Sequence, residues 1–417
     1  MTSSAATGLD AGRQQAAAAA DDHFGVDLYQ RLGADQQNLV FSPASIAAAL
    51  QMALVGARGR TAAQLAAALR LGGADPATRG ADPATRGADP ATRAHDGLLL
   101  LSAAIDAGQG SNPDPAQDRA LILRAPSSLW VQSGLPLEPG FTQTLQDAAA
   151  AVVRAADFQG APQQARSAIN ELISEQTAGK IAHLLGRDAV TASTRLVLAN
   201  AVYLKAPWAV PFTASATKDA PFHPEATAEA GPITVPMMHR TADLPYRRGH
   251  GYQAVLLPYR NSSLAMAIVL PDGPLARLTA QLGDHHGLSP LLAGAERQSV
   301  ALALPKFRQR TSTGLIPVLR DLGVEDAFTG RADFTGITTA GQLLISAVVH
   351  QAYIDVDEQG TEAAAATAIA MRPMALRRGP EPIPLTVDRP FLFAIFDTAT
   401  GLPLFLGQVT RPATETT

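Results

Sequence analysis

With no cysteine and nine scattered histidines, this chain has few residues for covalent or metal chemistry. The missing thiols exclude disulfides, thiolate metal sites and cysteine nucleophiles together. No Gly-x-Ser-x-Gly elbow and no His-Glu-x-x-His pair occurs. Gly179-Lys180 lacks the upstream glycine of a phosphate loop, and Gly108-x-Gly110 has no third glycine. His285-His286 lies among Gly283, Asp284 and Gly287 and reads as a solvated loop. Asn261-Ser262-Ser263 matches a glycosylation sequon, a pattern that recurs by chance. No nucleophile, base and orienting group are visible as a set, so an enzyme is not expected. No catalytic residue, metal ligand or cofactor site is assigned.

The unusual stretch runs from Glu358 to Pro384. Its first half is Glu358-Gln359-Gly360-Thr361-Glu362 followed by Ala363-Ala364-Ala365-Ala366-Thr367-Ala368-Ile369-Ala370. Alanine runs usually mean helix. Here Gly360 precedes the run, and Pro373, Pro380, Pro382 and Pro384 interrupt the second half of the stretch. With period two, Thr361, Ala363, Ala365, Thr367, Ile369 and Met371 share one face, all small or apolar. Glu362 and Arg372 fall on the other. The segment therefore reads either as an exposed Ala-rich helix or linker, or as a loop able to become a half-buried strand. The chemistry available to it is backbone hydrogen bonding, not catalysis.

The elements that must position this stretch are legible by period. Ala17 to Leu32 reads as a helix, and Asn38 to Phe41 as a strand. Ser42-Pro43 gives an N-cap and a first-turn proline, with Ile46, Leu50 and Leu54 behind it and Gly56 as the stop. Thr61 reads as the cap of a short helix. Three copies of Gly-Ala-Asp-Pro-Ala-Thr-Arg fill 73–93. Gly and Pro in each copy argue against helix, and the run reads as a duplication in an exposed loop. Helices are expected at His95 to Ile105, Ala168 to Leu185 and Thr313 to Leu322. Strands are expected at Ser128 to Val131, Leu196 to Leu204, Tyr252 to Pro258, Leu264 to Pro271 and Val300 to Leu304. Phe391 to Phe396 and Leu404 to Val409 read as a buried hairpin. Helices lead and strands follow, an α+β layout.

Composition bounds the partners. The 417 residues carry 33 basic and 37 acidic side chains, a formal charge of −4. That is too mild to advertise nucleic acid or an anionic membrane. No apolar run approaches the roughly 18 residues of a spanning helix. No signal-peptide pattern occurs in Met1 to Asp22, so the chain reads as cytoplasmic, with an extracellular site left open.

The chain resembles the serpin family from about Asp22 to Arg411, outside the repeats. The resemblance rests on motifs in order. Among them are Asn38-Leu39-Val40-Phe41-Ser42-Pro43-Ala44-Ser45-Ile46 and Thr177-Ala178-Gly179-Lys180-Ile181. Leu198-Ala199-Asn200-Ala201-Val202-Tyr203-Leu204-Lys205 is followed by Trp208. Val235-Pro236-Met237-Met238, Leu257-Pro258-Tyr259, Pro305-Lys306-Phe307 and Leu322-Gly323-Val324 come next. Glu358 to Ala365 looks like the hinge of that family, and Asp388-Arg389-Pro390-Phe391-Leu392-Phe393 like its C-terminal signature. The resemblance implies one serpin domain over 1–417, with three β-sheets, eight or nine helices and an exposed reactive-centre loop. The repeats at 73–93 would be an insertion between helices, and 358–390 would hold the hinge and the reactive-centre loop.

What the resemblance implies is a suicide inhibitor. A serine protease attacks the loop, an acyl-enzyme forms, and the cleaved hinge inserts into the large sheet. About sixteen inserted residues at roughly 3.3 Å each would span some 50 Å. The hinge would comprise Glu358, Gly360, Thr361, Glu362, Ala363, Ala364, Ala365 and Ala366. It has no proline or bulky residue, so inhibition is expected rather than a non-inhibitory binding or substrate-like role. The family's spacing puts the reactive bond at Met374-Ala375, with Arg372, Arg377 and Arg378 as alternatives. Methionine suits chymotrypsin-, elastase- or subtilisin-like proteases with apolar primary pockets; arginine would suit trypsin-like or dibasic-cutting ones. Cross-inhibition of cysteine proteases stays open. Ser42, Ser45, Asn200 and His350 match a polar cluster beneath the point where the sheet opens. Trp208, Lys306 and Glu358 match the place where the loop first enters, with a Glu358–Lys306 ion pair implied. Leu172 and Ser127 depart from the tryptophan and asparagine common in the family. The helix at His95 to Ile105 has no Lys or Arg, so no heparin-type activator is expected. A monomer is expected.

Overall fold

The structure, a computed structural model, describes residues 8–33, 37–72, 89–108, 121–146, 151–224, 231–284, 287–362 and 381–413. Helix α1 (Ala11–Leu32) starts at Asp10, whose carboxylate accepts the Arg13 N–H at 2.8 Å. Strand β1 (Leu39–Phe41) leads into α2 (Pro43–Gly56). Ser42 caps α2 by accepting the Ser45 N–H at 3.2 Å, and every residue of α2 is buried. Helix α3 (Gly59–Ala68) begins before Thr61, so Thr61 is not its cap. Its hydroxyl instead accepts the Asp333 N–H at 3.0 Å.

Helix α4 (Pro90–Gly108) corrects the reading of the repeats. The third copy is not purely loop: Pro90 to Arg93 form the first turn, and the Arg93 N–H closes on Asp89 O at 3.2 Å. Proline is tolerated at the first helical position because its missing N–H would have no partner there. The helix therefore carries Arg93 after all, which donates to Leu71 O at 2.9 Å. Residues 73–88, the rest of the repeats, lie outside the described residues, as does His285-His286.

Next come β2 (Ile122–Arg124), β3 (Ser127–Gln132), α5 (Pro139–Gln146), β4 (Ala151–Ala156) and α6 (Pro162–Gln176). The expected helix over Ala168 to Leu185 ends at Gln176. Ala178 and Gly179 take φ of +52° and +75°, and the Gly179 N–H bonds Ser174 O at 2.8 Å, which closes the helix. Then follow β5 (Leu196–Pro207), β6 (Lys218–Phe222), β7 (Ile233–Gly249), β8 (Tyr252–Pro258) and β9 (Leu264–Pro271). Two short helices, α7 (Leu275–Asp284) and α8 (Ser289–Leu292), precede β10 (Glu296–Pro305). Strand β11 (Phe307–Gly314) takes the front of the expected Thr313 helix, and α9 is only Ile316–Asp321. Last come β12 (Ile345–Val356), β13 (Gly360–Thr361), β14 (Ile383–Thr386), β15 (Phe391–Asp397) and β16 (Pro403–Val409).

One sheet runs β1-β16-β15-β9-β8-β7-β10-β14, with β6 beside β7. The resemblance implied three sheets. Here two of them form one hydrogen-bonded network, because β7 pairs β6 and β10 over most of its length and β8 at Tyr246 to Gly249. The other sheet runs β11-β12-β13-β5-β3-β4, with β2 on β5. Its centre matters most. Strands β5 and β12 are parallel and pair directly from Leu196–Ile345 to Tyr203–Tyr353. Above that rung β13 wedges between them, antiparallel to both. Most apolar side chains form one core shared by the helices, the first sheet and the inner face of the second. A smaller cluster of Trp130, Ile169, Ile173, Val197, Ala199 and Ala201 fastens α6 across the outer face of the second sheet. Among the described residues, no helix is long and apolar enough to cross a membrane.

Candidate functional site

The two strands that flank β13 carry a buried polar cluster lower down. Asn200 on β5 and His350 on β12 are direct register partners. The Ser42 N–H donates to His350 Nε2 at 3.1 Å, so Nε2 is bare and Nδ1 holds the proton. Nδ1 then donates to Asn200 Oδ1 at 2.5 Å. The Asn200 amide nitrogen lies 2.8 Å from Ser45 O, 2.5 Å from Ser45 Oγ and 2.7 Å from Ser127 Oγ. Ser42, Ser45, Asn200 and His350 are thus brought together, Ser42 through its backbone. Ser127, singled out only as a departure, completes the set. Burial pushes the His350 imidazole down to about 3. A charge there would have no counter-ion and little solvent.

Trp208, Lys306 and Glu358 sit at the upper end of the same strands. Trp208 stacks on Tyr259 with ring centroids 4.7 Å apart, and its indole N–H donates to Asp357 O at 3.0 Å. The Trp208 N–H bonds Gln359 O at 2.9 Å, and the Phe212 N–H bonds Glu358 O at 2.8 Å. Lys306 Nζ lies 2.9 Å from Glu358 Oε2, and the Thr217 hydroxyl donates to Oε1 at 2.7 Å. Burial pushes the Glu358 carboxyl up, yet the ammonium and the hydroxyl outweigh it and hold the group below its ordinary range.

Gly360 and Thr361 form the short strand β13 of the sheet. Gly360 faces Pro207, and Thr361 faces Ala206 on one side and Val356 on the other. A Cβ on residue 360 would lie 2.1 Å from Ala206 O, so the close approach requires glycine. Thr361 is fully buried and shares a 2.6 Å hydrogen bond with the Tyr259 hydroxyl. Glu362, the residue after β13, has φ +48°. Tyr259, Thr217, Asp357 and Lys180, which pairs with Glu362, also belong to this site. Their types gave no signal of it, because the contacts join distant parts of the chain. Ala363, Ala364, Ala365 and Ala366 lie outside the described residues, as do Arg372, Met374, Ala375, Arg377 and Arg378. Among the described residues, no three acidic or histidine side chains gather as a metal site.

The arrangement is a sheet whose two central strands are parted at one end by β13. The sequence model of the family described as serpin (serine protease inhibitor) matches residues 19–412. A protein of Thermococcus kodakarensis described as an uncharacterized serpin-like protein is 36% identical over 405 residues, covering 97% of this chain and 88% of its own. The leukocyte elastase inhibitor of Sus scrofa is 35% identical over 410 residues, covering 94% and 99%. The crystal structure of Serpin48, described as a highly specific serpin of the insect Tenebrio molitor, superposes with a TM-score of 0.75 at 27% identity, covering 96% and 99%. Serpins are in general protease inhibitors rather than catalysts, and this chain belongs to the serpin family.

Proposed function

We propose that this serpin inhibits serine proteases by the suicide route. The protease serine attacks the Met374 carbonyl, the Met374–Ala375 bond breaks, and the Ala375 amine leaves. Met374 remains esterified to the protease. The segment before it then threads between β5 and β12 and carries the protease along before water can free it. The apolar Met374 side chain favours chymotrypsin-, elastase- or subtilisin-like enzymes, and the relative named leukocyte elastase inhibitor is in keeping with that choice.

The observation that carries this reading is the register of β13. Thr361 pairs antiparallel with both flanking strands and Gly360 with β5, while the two strands otherwise pair with each other. Continued residue for residue, Ala363 falls opposite Leu204 and Ile354, and Ala365 opposite Val202 and Ala352. Thr367 falls opposite Asn200 and His350, on the face that Thr361 already buries. On that register a hydroxyl would meet the two side chains that insertion would separate. Every residue between Glu362 and Thr367 is alanine, so the steric barrier to threading is as low as a side chain allows. Sulfur, positive charge and the first proline come only after Thr367.

The test is to mix the protein separately with chymotrypsin, pancreatic elastase, subtilisin and trypsin. Denaturing gels should show a covalent complex with at least one of the first three. The released C-terminal peptide should begin at Ala375 by mass. A peptide beginning at Leu376 or later would keep the mechanism and move the bond. Cleavage by all four with no complex and no gain in heat resistance would sink the reading in favour of a non-inhibitory serpin.

A further inference from the structure

Strands β12 and β13 are joined by a tight turn with Glu358 and Gln359 at its tip. Two ladder bonds fix the pairing: the Glu362 N–H donates to Asp355 O at 2.6 Å, and the Asp357 N–H donates to Gly360 O at 3.0 Å. With Val356 opposite Thr361, Asp357 and Gly360 occupy a hydrogen-bonded position of the antiparallel ladder. Such a pair ordinarily exchanges two bonds, the second from the Gly360 N–H back to Asp357 O. Here the Gly360 N–H donates instead to Asp357 Oδ1 at 3.2 Å. The Gln359 N–H donates to the same oxygen at 2.7 Å. The Asp357 carboxylate stands in for the Asp357 carbonyl.

The carbonyl released in this way is used elsewhere. Asp357 O accepts the Trp208 indole N–H at 3.0 Å. The next two carbonyls of the turn follow it. Glu358 O accepts the Phe212 N–H at 2.8 Å, and Gln359 O accepts the Trp208 N–H at 2.9 Å. Three successive carbonyls therefore bind the chain that leaves β5. Trp208 is fully buried and directly follows Pro207, the partner of Gly360. If Asp357 O turned back to Gly360, the buried indole N–H would lose its acceptor, an expensive loss away from water. Burial pushes the Asp357 carboxyl above its ordinary range, although both N–H donors act against the rise. The charge is therefore a cost, and what the turn uses is the oxygen.

We propose that Asp357 is a positioning residue for β13: its side chain replaces its own carbonyl in the turn, so that one turn is bonded to β12 and to the Trp208 segment at once. Gly360 and Thr361 are thereby fixed in their present register against β5. The consequence for activity rests on the inhibitor reading above: a hinge held in this register favours trapping of the protease over plain cleavage of the loop.

The experiment compares the full chain with Asp357→Ala and Asp357→Asn. Hydrogen exchange is read at the Gln359 amide, and the ratio of cleaved protein to covalent complex on denaturing gels. In Asp357→Ala the amide should exchange at least about tenfold faster, and the ratio should rise severalfold. Asp357→Asn keeps the accepting oxygen without the charge and should match wild type in both. Trp208→Phe removes the indole donor. Its loss of urea resistance should be smaller in the Asp357→Ala background than in wild type, because the carbonyl is then free to bond the Gly360 N–H. Unchanged exchange or an unchanged ratio in Asp357→Ala overturns the proposal. So does an Asp357→Asn protein that behaves like Asp357→Ala, or a Trp208→Phe loss that is equal in the two backgrounds. Each of these leaves the inhibitor reading intact. A wild-type protein that forms no complex with chymotrypsin, elastase, subtilisin or trypsin sinks the inhibitor reading, and the exchange and coupling results still decide the role of Asp357.

Discussion

His350 and Asn200 face each other across the junction of β5 and β12, with Nδ1 donating to Oδ1 at 2.5 Å. This bond fastens the two strands that the inserting loop would part. Protonation would keep that donor but take away the Nε2 lone pair that accepts from the Ser42 N–H.

The first prediction concerns that protonation state. The folded His350 pKa is pushed down to about 3 from an ordinary 6.5. The unfolded chain therefore takes up the proton first as pH falls. The stabilisation is fully present above pH 6.5 and is lost progressively towards pH 3, at up to roughly 1.4 kcal/mol per pH unit. His350→Gln should be less stable than wild type at pH 7.5 and should flatten the slope between pH 6.5 and 4.5. Urea midpoints across that range measure it, and equal slopes in the two proteins would remove His350 as the cause.

Asn200 is the hub of the cluster, serving His350, Ser45 and Ser127 at once. Asn200→Ala takes the acceptor from the His350 Nδ1–H and leaves Ser45 and Ser127 only long bonds of 3.5 and 3.4 Å, all at 1% exposure or less. We expect a loss of about 2–4 kcal/mol in the native form. If insertion carries Thr367 to the same place, the loop-cleaved form should lose less. Parallel denaturation of both forms is the measurement; equal losses would mean that Thr367 does not reach the cluster.

Gly360 permits the first rung. Gly360→Ala adds a Cβ at 2.1 Å from Ala206 O, a contact that no side-chain rotation can relieve. The hinge should leave the sheet and give up the Tyr259–Thr361 hydrogen bond. The Glu362 amide, now bonded to Asp355 O, should exchange hydrogen at least about tenfold faster. More protein should be cleaved per complex formed. Retained amide protection would show that the strands can move apart to accept the extra carbon.

How much of this was legible in the sequence depended on the range of the contact. The Ser42 cap and the Pro43 start of α2 are local, and both were readable. The expected hinge, Glu358 to Ala366, and the polar cluster came from ordered motifs, not from periodicity. Helix α6 shows the limit of periodicity itself. Ile181 and Leu184 keep a helical spacing and are buried with Ile169 and Ile173 as predicted, yet the chain reaches them through a turn. Apolar spacing reported what is buried, not the backbone path to it. Strand β12 was missed because His350 and Gln351 put polar residues inside it, and these are buried by partners from other elements. Lys180 shows the same limit at the site. Its pairing with Glu362 joins distant parts of the chain, and nothing in its neighbours announces it.

The Glu358–Lys306 pair should respond unequally to removal of its two halves. Glu358→Gln keeps the shape and the Thr217 hydrogen bond and removes the charge that burial disfavours. Lys306→Met leaves a carboxylate whose side chain is 12% exposed without its cation. Breaking a buried pair from that side costs more than replacing the buried charge. Lys306→Met should therefore lose about 1–2 kcal/mol and Glu358→Gln less than about 1 kcal/mol. The pH dependence separates them further. The depressed Glu358 pKa stabilises the fold above the ordinary glutamate range, and this is lost as pH falls through it. Glu358→Gln should lack that acid-side slope, and Lys306→Met should reduce or reverse it. Urea midpoints from pH 7 to pH 4 test the pair, and equal losses with parallel slopes would show that the ammonium contributes nothing beyond its packing.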